Sequence, residues 1–243
     1  MENKFRKIKD IKNNSEQSKG YKRLSALFDD GIFNELDPFV KSEDNYSEVI
    51  SGFGYVNGCP VYAFSQNIDA NGSPMSKTQI SKILKVYKMS ERTGVPVVGF
   101  FDSIGAKLKE GNAMLSLYGE LLQSSNNISG VVPQISVVLG KCFGTSSMIA
   151  ASSDILIMTE ESQLGLDVSG KNSSAEFVKK SGISHITTKN EENAIAEARK
   201  IIEMLPSNNL ETPISFENIV EPPNTQISTN LDIIKVFDSN SFI

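Results

Sequence analysis

Histidine occurs once and cysteine twice in the 243 residues, and tryptophan is absent. With His185 alone, a histidine-rich metal site is impossible, and Cys59 and Cys142 are too few for a disulfide framework or a four-cysteine zinc site. No metal is therefore expected. Any Ser-His-Asp or Cys-His relay would have to run through His185, and no G-x-S-x-G elbow exists to partner it. His185, shortly after Gly182, reads instead as a structural strand residue. The phosphate-cradling patterns G-x-x-x-x-G-K-[ST] and G-x-G-x-x-G are missing too, which removes the usual support for nucleotide hydrolysis. Long apolar runs are lacking. The stretch Val131 to Leu139 falls far short of the roughly 18 residues of a membrane span, and the basic N-terminus has no apolar core of a secretory signal. A reduced, cytoplasmic protein is the expectation.

What is present is an ordinary globular composition, 39% hydrophobic and 22% charged, at a length that suits one large core. The net charge of −5 conceals an asymmetry, because residues 1 to 23 hold eight Lys or Arg against three acids and leave the remainder at −10. An acidic body of that kind is a poor general nucleic-acid binder. The basic segment from Lys4 to Arg23 reads either as an anion-binding arm or as a solvated helix packed on the surface or on a partner chain.

Along the chain, Leu24, Leu27 and Phe28 form a short helical stripe that stops at Asp29-Asp30-Gly31. Two apolar runs, Val49 to Val56 and Pro60 to Ser65, flank Asn57-Gly58, the dipeptide of a tight hairpin turn. Ile80, Ile83, Leu84 and Tyr87 lie at helical spacing in a segment running from Ser76 to Gly94. Val95 to Phe101 then reads as a buried strand, Met114 to Leu122 as a helix and Val131 to Leu139 as another buried strand. Thr145 to Ala151 is a small-residue helix, Ile155 to Met158 a strand and Ala194 to Leu205 an amphipathic helix stopped by Pro206. This alternation predicts a layered α/β domain with parallel strands. The stretch beyond Pro206 carries Pro213, Pro222 and Pro223 and reads as a linker. At its end Val236 to Phe242 echoes Leu27 to Phe33, as if a second copy were beginning.

Two glycine-bearing loops directly follow buried strands: Asp102 to Leu108, and Gly140 to Ser147. Ligands of α/β folds bind at the carboxyl ends of strands, where following helices present free N–H groups. Two such donors aimed at one oxygen stabilise an enolate or oxyanion without a side-chain acid, which suits a chain this poor in histidine. The alternative is that the glycines merely make tight turns.

At these loops the sequence resembles the carboxyltransferase component of biotin-dependent acyl-CoA carboxylases and decarboxylases, the group that includes the propionyl-CoA carboxylase β chain. Arg23 to Asp37, RLSALFDDGIFNELD, is similar to the family's R-x-x-x-L-x-D-x-G-S-F-x-E. Gly52 to Gln66 resembles its G-x-G-x-V-N-G-x-P-V-Y-x-x-x-Q hairpin. Thr93 to Gly111 is similar to T-G-x-P-V-I-x-x-x-D-S-G-G-A-R-I-Q-E-G, and Ser129 to Gly144 to S-G-V-I-P-Q-I-S-x-x-x-G-P-C-A-G-G. Leu205 to Asn209, LPSNN, resembles the end of the family's domain.

The resemblance implies a crotonase (ClpP/crotonase-like) fold of repeated ββα units and a single half of a carboxyltransferase, the half that binds acyl-CoA. It implies a basic arm at 1–23, a crotonase-like domain at 24–209, and a linker with a truncated second half at 210–243. The backbone donors would be Gly144 and Thr145, with Ser103, Gly105, Ala106, Gly72 and Ser73 shaping the substrate pocket and Lys107 meeting CoA phosphates. The implied partners are a C-terminal-half carboxyltransferase chain, a biotinyl carrier protein and acyl-CoA, in a homo- or hetero-oligomer. Biotin would be borne by that separate carrier and the CoA thioester would be the substrate, with no cofactor bound covalently. There are departures from the pattern. Thr145 stands where the family has a second glycine, Ile104 replaces the first glycine of the D-S-G-G-A loop, Lys107 replaces arginine, and Asn71-Gly72-Ser73-Pro74 has lost one glycine. The shortened Gln163 to Ser169 stretch is nearer the split β subunit of malonate decarboxylase. These departures keep three other readings open: a non-catalytic assembly subunit, a malonate decarboxylase β-like subunit, and a stand-alone crotonase.

Overall fold

The structure, a computed structural model, describes residues 12–40, 48–68, 74–167 and 169–212. Gly72 and Ser73, and the segment beyond Pro213 with its echo, lie outside the described residues.

Helix α1 (Lys19–Leu27) begins at Ser18, whose hydroxyl accepts the Tyr21 N–H, and a 3-10 turn leads to β1 (Phe33–Glu35). Strands β2 (Val49–Val56) and β3 (Cys59–Gln66) form the expected hairpin, with Asn57 and Gly58 both at positive φ in the turn. After the short β4 (Pro74–Met75), helix α2 (Lys77–Thr93) runs from an N-cap at Ser76 to a left-handed Gly94. Then come β5 (Val97–Ser103), β6 (Gly105–Ala106), α3 (Ala113–Asn127), β7 (Gln134–Phe143), α4 (Thr145–Ala151), β8 (Ile155–Thr159), β9 (Gln163–Gly165), α5 (Ala175–Lys180), β10 (Ile186–Thr188) and α6 (Glu191–Met204).

One sheet runs in the order β1-β2-β3-β5-β7-β8-β10, and β9 also pairs with the end of β7. Pairs among β1, β2 and β3 are antiparallel; from β3 to β10 every pair is parallel, because a helix intervenes between successive strands. The strands are apolar on both faces, as a sheet between two helical layers requires. On β5, Val98 and Phe100 face Leu24 and Leu27 of α1 and Ile195, Ala198 and Ile202 of α6. Val97 and Phe101 join the opposite core with Ile80, Ile83 and Tyr87 of α2 and Tyr118 and Leu121 of α3.

Departures from the sequence reading have local causes. Strand β7 starts at Gln134 rather than Val131, since Pro133 has no N–H for the ladder. His185 lies just before β10, exposed, and closes onto Leu156 in both directions: its Nδ1 accepts the Leu156 N–H at 2.9 Å and its own N–H reaches the Leu156 carbonyl at 3.0 Å. Its role is structural, as a bridge beside the strand. Arg23 is 4% exposed and belongs to the body of the domain.

Candidate active site

Both glycine loops sit at the carboxyl end of the parallel strands, and the fold brings them together. A β-carbon on Gly105 would lie 3.6 Å from the Phe143 carbonyl, so the β5–β6 loop abuts the turn from β7 into α4. β6 is tied in turn to β4 by parallel pairing, and the Lys107 N–H donates to the Met75 carbonyl at 3.0 Å. Met75 is fully buried, and its sulfur receives the hydroxyls of Ser146 at 3.2 Å and Tyr118 at 3.3 Å. Burial pushes the Tyr118 phenol up to about 12, against an opposing hydrogen bond with Ser146. Thus Met75, Tyr118 and Ser146 lock the small β4–β6 layer onto the head of α4. A seryl and a tyrosyl hydroxyl converging on sulfur leave no sequence signature, so the pattern was not legible in advance.

Gly144 is the N-cap of α4, at φ +66° and ψ −139°. Backbone of that kind is open to glycine and strained for any residue with a β-carbon. The expectation of two free donors needs correction, because the Gly144 N–H extends the β7–β9 ladder and donates to the Gly165 carbonyl at 3.1 Å. Thr145 is the first helical residue, and its N–H has no acceptor among the described residues, as the geometry of a helix start dictates. Its β-branched side chain is half-buried beside that N–H.

The other expected residues have definite places. Ser103 is fully buried and its hydroxyl accepts the Gly105 N–H at 3.3 Å, which holds the loop at the positive φ of Gly105. Ala106 lies in β6, half-buried. Lys107 is only 13% exposed and lies 3.8 Å from Glu110, whose carboxylate also accepts the Lys77 N–H at the start of α2. Its ammonium thus has an acidic neighbour within the fold. Ile104 is exposed at the rim.

Beneath the loops lies a charged network. Arg23 donates through Nε and Nη2 to Glu191 at 3.0 Å each, through Nη1 to the Gln66 carbonyl at 3.2 Å, and through Nη2 to Asp102 at 3.2 Å. The Asp102 N–H is taken by the Gln66 side chain at 2.9 Å. Burial pushes the Asp102 carboxyl up, with the Arg23 guanidinium pulling it part of the way back. Arg23 stays cationic, since Glu191 and Asp102 outweigh the cost of its burial. No group of three or more His, Cys, Asp or Glu side chains is placed to hold a metal among the described residues. Nor, among those residues, is any helix long and apolar enough to cross a membrane.

A twisted, mostly parallel sheet between helical layers, with paired loops over a helix start at the strand ends, is the layout of a crotonase-fold carboxyltransferase. The chain belongs to the carboxyl transferase domain family, whose profile matches residues 17–236. It is 35% identical over 214 residues to the methylmalonyl-CoA decarboxylase subunit alpha of Veillonella parvula, covering 78% of this chain and 42% of that protein. It is also 35% identical over 216 residues to the propionyl-CoA carboxylase beta chain of Roseobacter denitrificans, covering 79% and 42%. The chain thus spans less than half the length of these relatives. Among solved structures, transcarboxylase 12S, in a hexamer assembly with methylmalonyl-coenzyme A and methylmalonic acid bound, superposes with a TM-score of 0.76 at 28% identity. The match covers 88% of this chain and 46% of that one. A chain of a Pseudomonas malonate decarboxylase hetero-tetramer shares the fold at a TM-score of 0.70 and 21% identity, and there the match covers 84% of the neighbour.

Proposed function

We propose that this chain is the acyl-CoA-binding half of a biotin-dependent carboxyltransferase, working with a second chain that supplies the other half. The observation that carries the reading is the meeting of the β5–β6 loop with the head of α4, where the Thr145 N–H has no acceptor among the described residues and lies beside small residues at the strand ends. An acyl thioester carbonyl placed there meets a fixed donor and the positive end of a helix. The enolate it stabilises forms by loss of a proton from the carbon next to the carbonyl. That carbon then gains the carboxyl group, the proton passing to an acceptor outside the described residues of this chain; in the reverse direction loss of the carboxyl group forms the enolate and a proton takes its place. Biotin on a separate carrier supplies or accepts the carboxyl group, and no residue of this chain is assigned to it. Membership of a family that includes a biotin-dependent acetyl-/propionyl-coenzyme A carboxylase subunit of Mycobacterium leprae supports this division of labour. In this reading residues 24–209, together with the buried Arg23, form the working domain, the segment before them an arm and 210–243 a connection toward the second half.

A second reading, a subunit kept for assembly, is favoured by one observation: the Gly144 N–H is already engaged by Gly165, so one of the two donors is closed. Calorimetry with propionyl-CoA separates the two. The acyl-CoA reading predicts saturable binding by the full chain in its native complex, abolished by Gly144→Val. No binding, or equal binding by both proteins, favours the assembly subunit.

A further inference from the structure

The pairing of β5 with β7 breaks at one place. Phe101 faces Val138 and Ser103 faces Cys142, so the single residue Asp102 stands opposite three residues of β7: Leu139, Gly140 and Lys141. A bulge of this kind bends the strand and re-aims the residues beyond it. Here those residues are Cys142-Phe143-Gly144 and the start of α4.

The side chain inside the bulge is a carboxylate. Asp102 is 3% exposed; one of its oxygens accepts from Arg23, and the other, Oδ1, has no hydrogen-bond partner among the described residues. That oxygen faces Gly140, where a β-carbon would lie only 2.2 Å from it. The Asp102 backbone is fastened by Gln66, and Gln66 by Arg23, so α1, the end of β3, the end of β5 and the head of α6 all converge on this carboxylate. A buried ion pair is seldom retained for stability alone, because desolvation offsets most of its attraction.

Resting on the reading above, we propose that the Arg23–Asp102 pair is a positioning device, a wedge in the β7 bulge that sets where the Thr145 N–H points. Neither residue touches substrate. The wedge acts through Gly140, whose missing side chain lets the carboxylate sit against the β7 backbone. Removing the charge lets the bulge relax, and the donor at the head of α4 loses its aim. Transition-state stabilisation should then fall more than substrate binding, because a fixed donor matters most once charge has developed on the oxygen.

The test has two arms. In the first, amide hydrogen exchange is followed on the full chain without ligand. Asp102→Asn, which keeps shape and removes charge, should speed exchange across residues 141–146 by at least about tenfold, with exchange in α2 and α3 unchanged. A folded Asp102→Asn protein with unaltered exchange at 141–146 overturns the proposal. Should that variant fail to fold, Arg23→Lys serves instead. Lysine keeps the charge but cannot reach Glu191, Gln66 and Asp102 together, so the same local loosening is expected, and its absence is equally decisive. In the second arm, carboxyl transfer with propionyl-CoA is measured in the native complex. Asp102→Asn should lower kcat by about tenfold or more with KM changed less than twofold. Gly140→Ala should be as damaging alone, yet add nothing to Asp102→Ala, since both act on one contact. Additive losses, or a change confined to KM, contradict the wedge. If the wild-type complex neither binds nor turns over propionyl-CoA, the proposed function falls, and the exchange arm still decides the wedge on its own.

Discussion

At the scale of single residues, the proposed chemistry depends on which backbone N–H groups are open and what holds them. Thr145→Gly removes a crowding side chain and leaves the donor in place, so propionyl-CoA binding in calorimetry should be preserved or tightened. Gly144→Val puts a β-branched residue at φ +66°, where strain of about 1–3 kcal/mol is expected although nothing lies within 4 Å of the new β-carbon. Its loss of binding should therefore come with a lowered Tm. Arg23→Met strips the cation from Asp102 and leaves a buried carboxylate unpaired, at a cost of about 3–5 kcal/mol in urea unfolding. A cost below about 1 kcal/mol would mean that water or another cation reaches the carboxylate. The sequence made part of this legible. Small residues after buried strands marked the loops, and the family motifs contain both Arg23 and Asp102. That the two touch was not legible, because they lie 79 residues apart. An aspartate closing an apolar run reads as the first residue of a loop.

Elements add a second kind of constraint. The β2–β3 hairpin is secured from outside its own turn: the Asp29 carboxylate accepts the N–H groups of Asn57 and Gly58 at 3.0 Å each and pairs with Arg199 of α6 at 2.7 Å. Partial desolvation acts to raise the Asp29 carboxyl, but these donors outweigh it and hold it below its usual 3.8. A lowered carboxylate contributes stability that is fully present above its unfolded value and is lost as pH falls through the folded one. Asp29→Asn should accordingly lower stability by about 1 kcal/mol at neutral pH, discounted for its exposure, and flatten the loss of stability below about pH 4. Equal acid sensitivity in both proteins would show that Asp29 does not carry this limb. The hairpin was legible because Asn57-Gly58 fixes its turn chemistry, and α2 because its apolar spacing lies between a serine cap and a glycine stop. The short strands β4, β6 and β9 were not. A period of two needs more residues than they have, and each exists only because a longer neighbour or a buried contact such as Met75 holds it.

For the whole molecule, the chain matches less than half the length of the methylmalonyl-CoA decarboxylase and propionyl-CoA carboxylase relatives, and large apolar side chains remain exposed at the strand ends. Ile104 follows β5, Met148 lies on α4, Leu166 follows β9 and is 70% exposed, and Leu115 in the first turn of α3 is 75% exposed. Apolar side chains left open near a site argue for a covering surface. Sedimentation should find the chain associated with itself or with a carboxyltransferase half, and Leu115→Glu with Leu166→Glu should weaken that association. A monomer indifferent to both substitutions would count against a covering partner. The sequence carried the alternating layers and the family, but it could not show that Gly144 is tied to Gly165, because that bond depends on β9 lying against β7. In the proposed function the head of α4 polarises an acyl thioester. Infrared difference spectroscopy on propionyl-CoA labelled with carbon-13 at the carbonyl reads this directly. The labelled stretch should move to lower frequency on binding to the native complex and return to its free position with Gly144→Val. A bound thioester whose carbonyl stretch matches that in water, in both proteins, would contradict it.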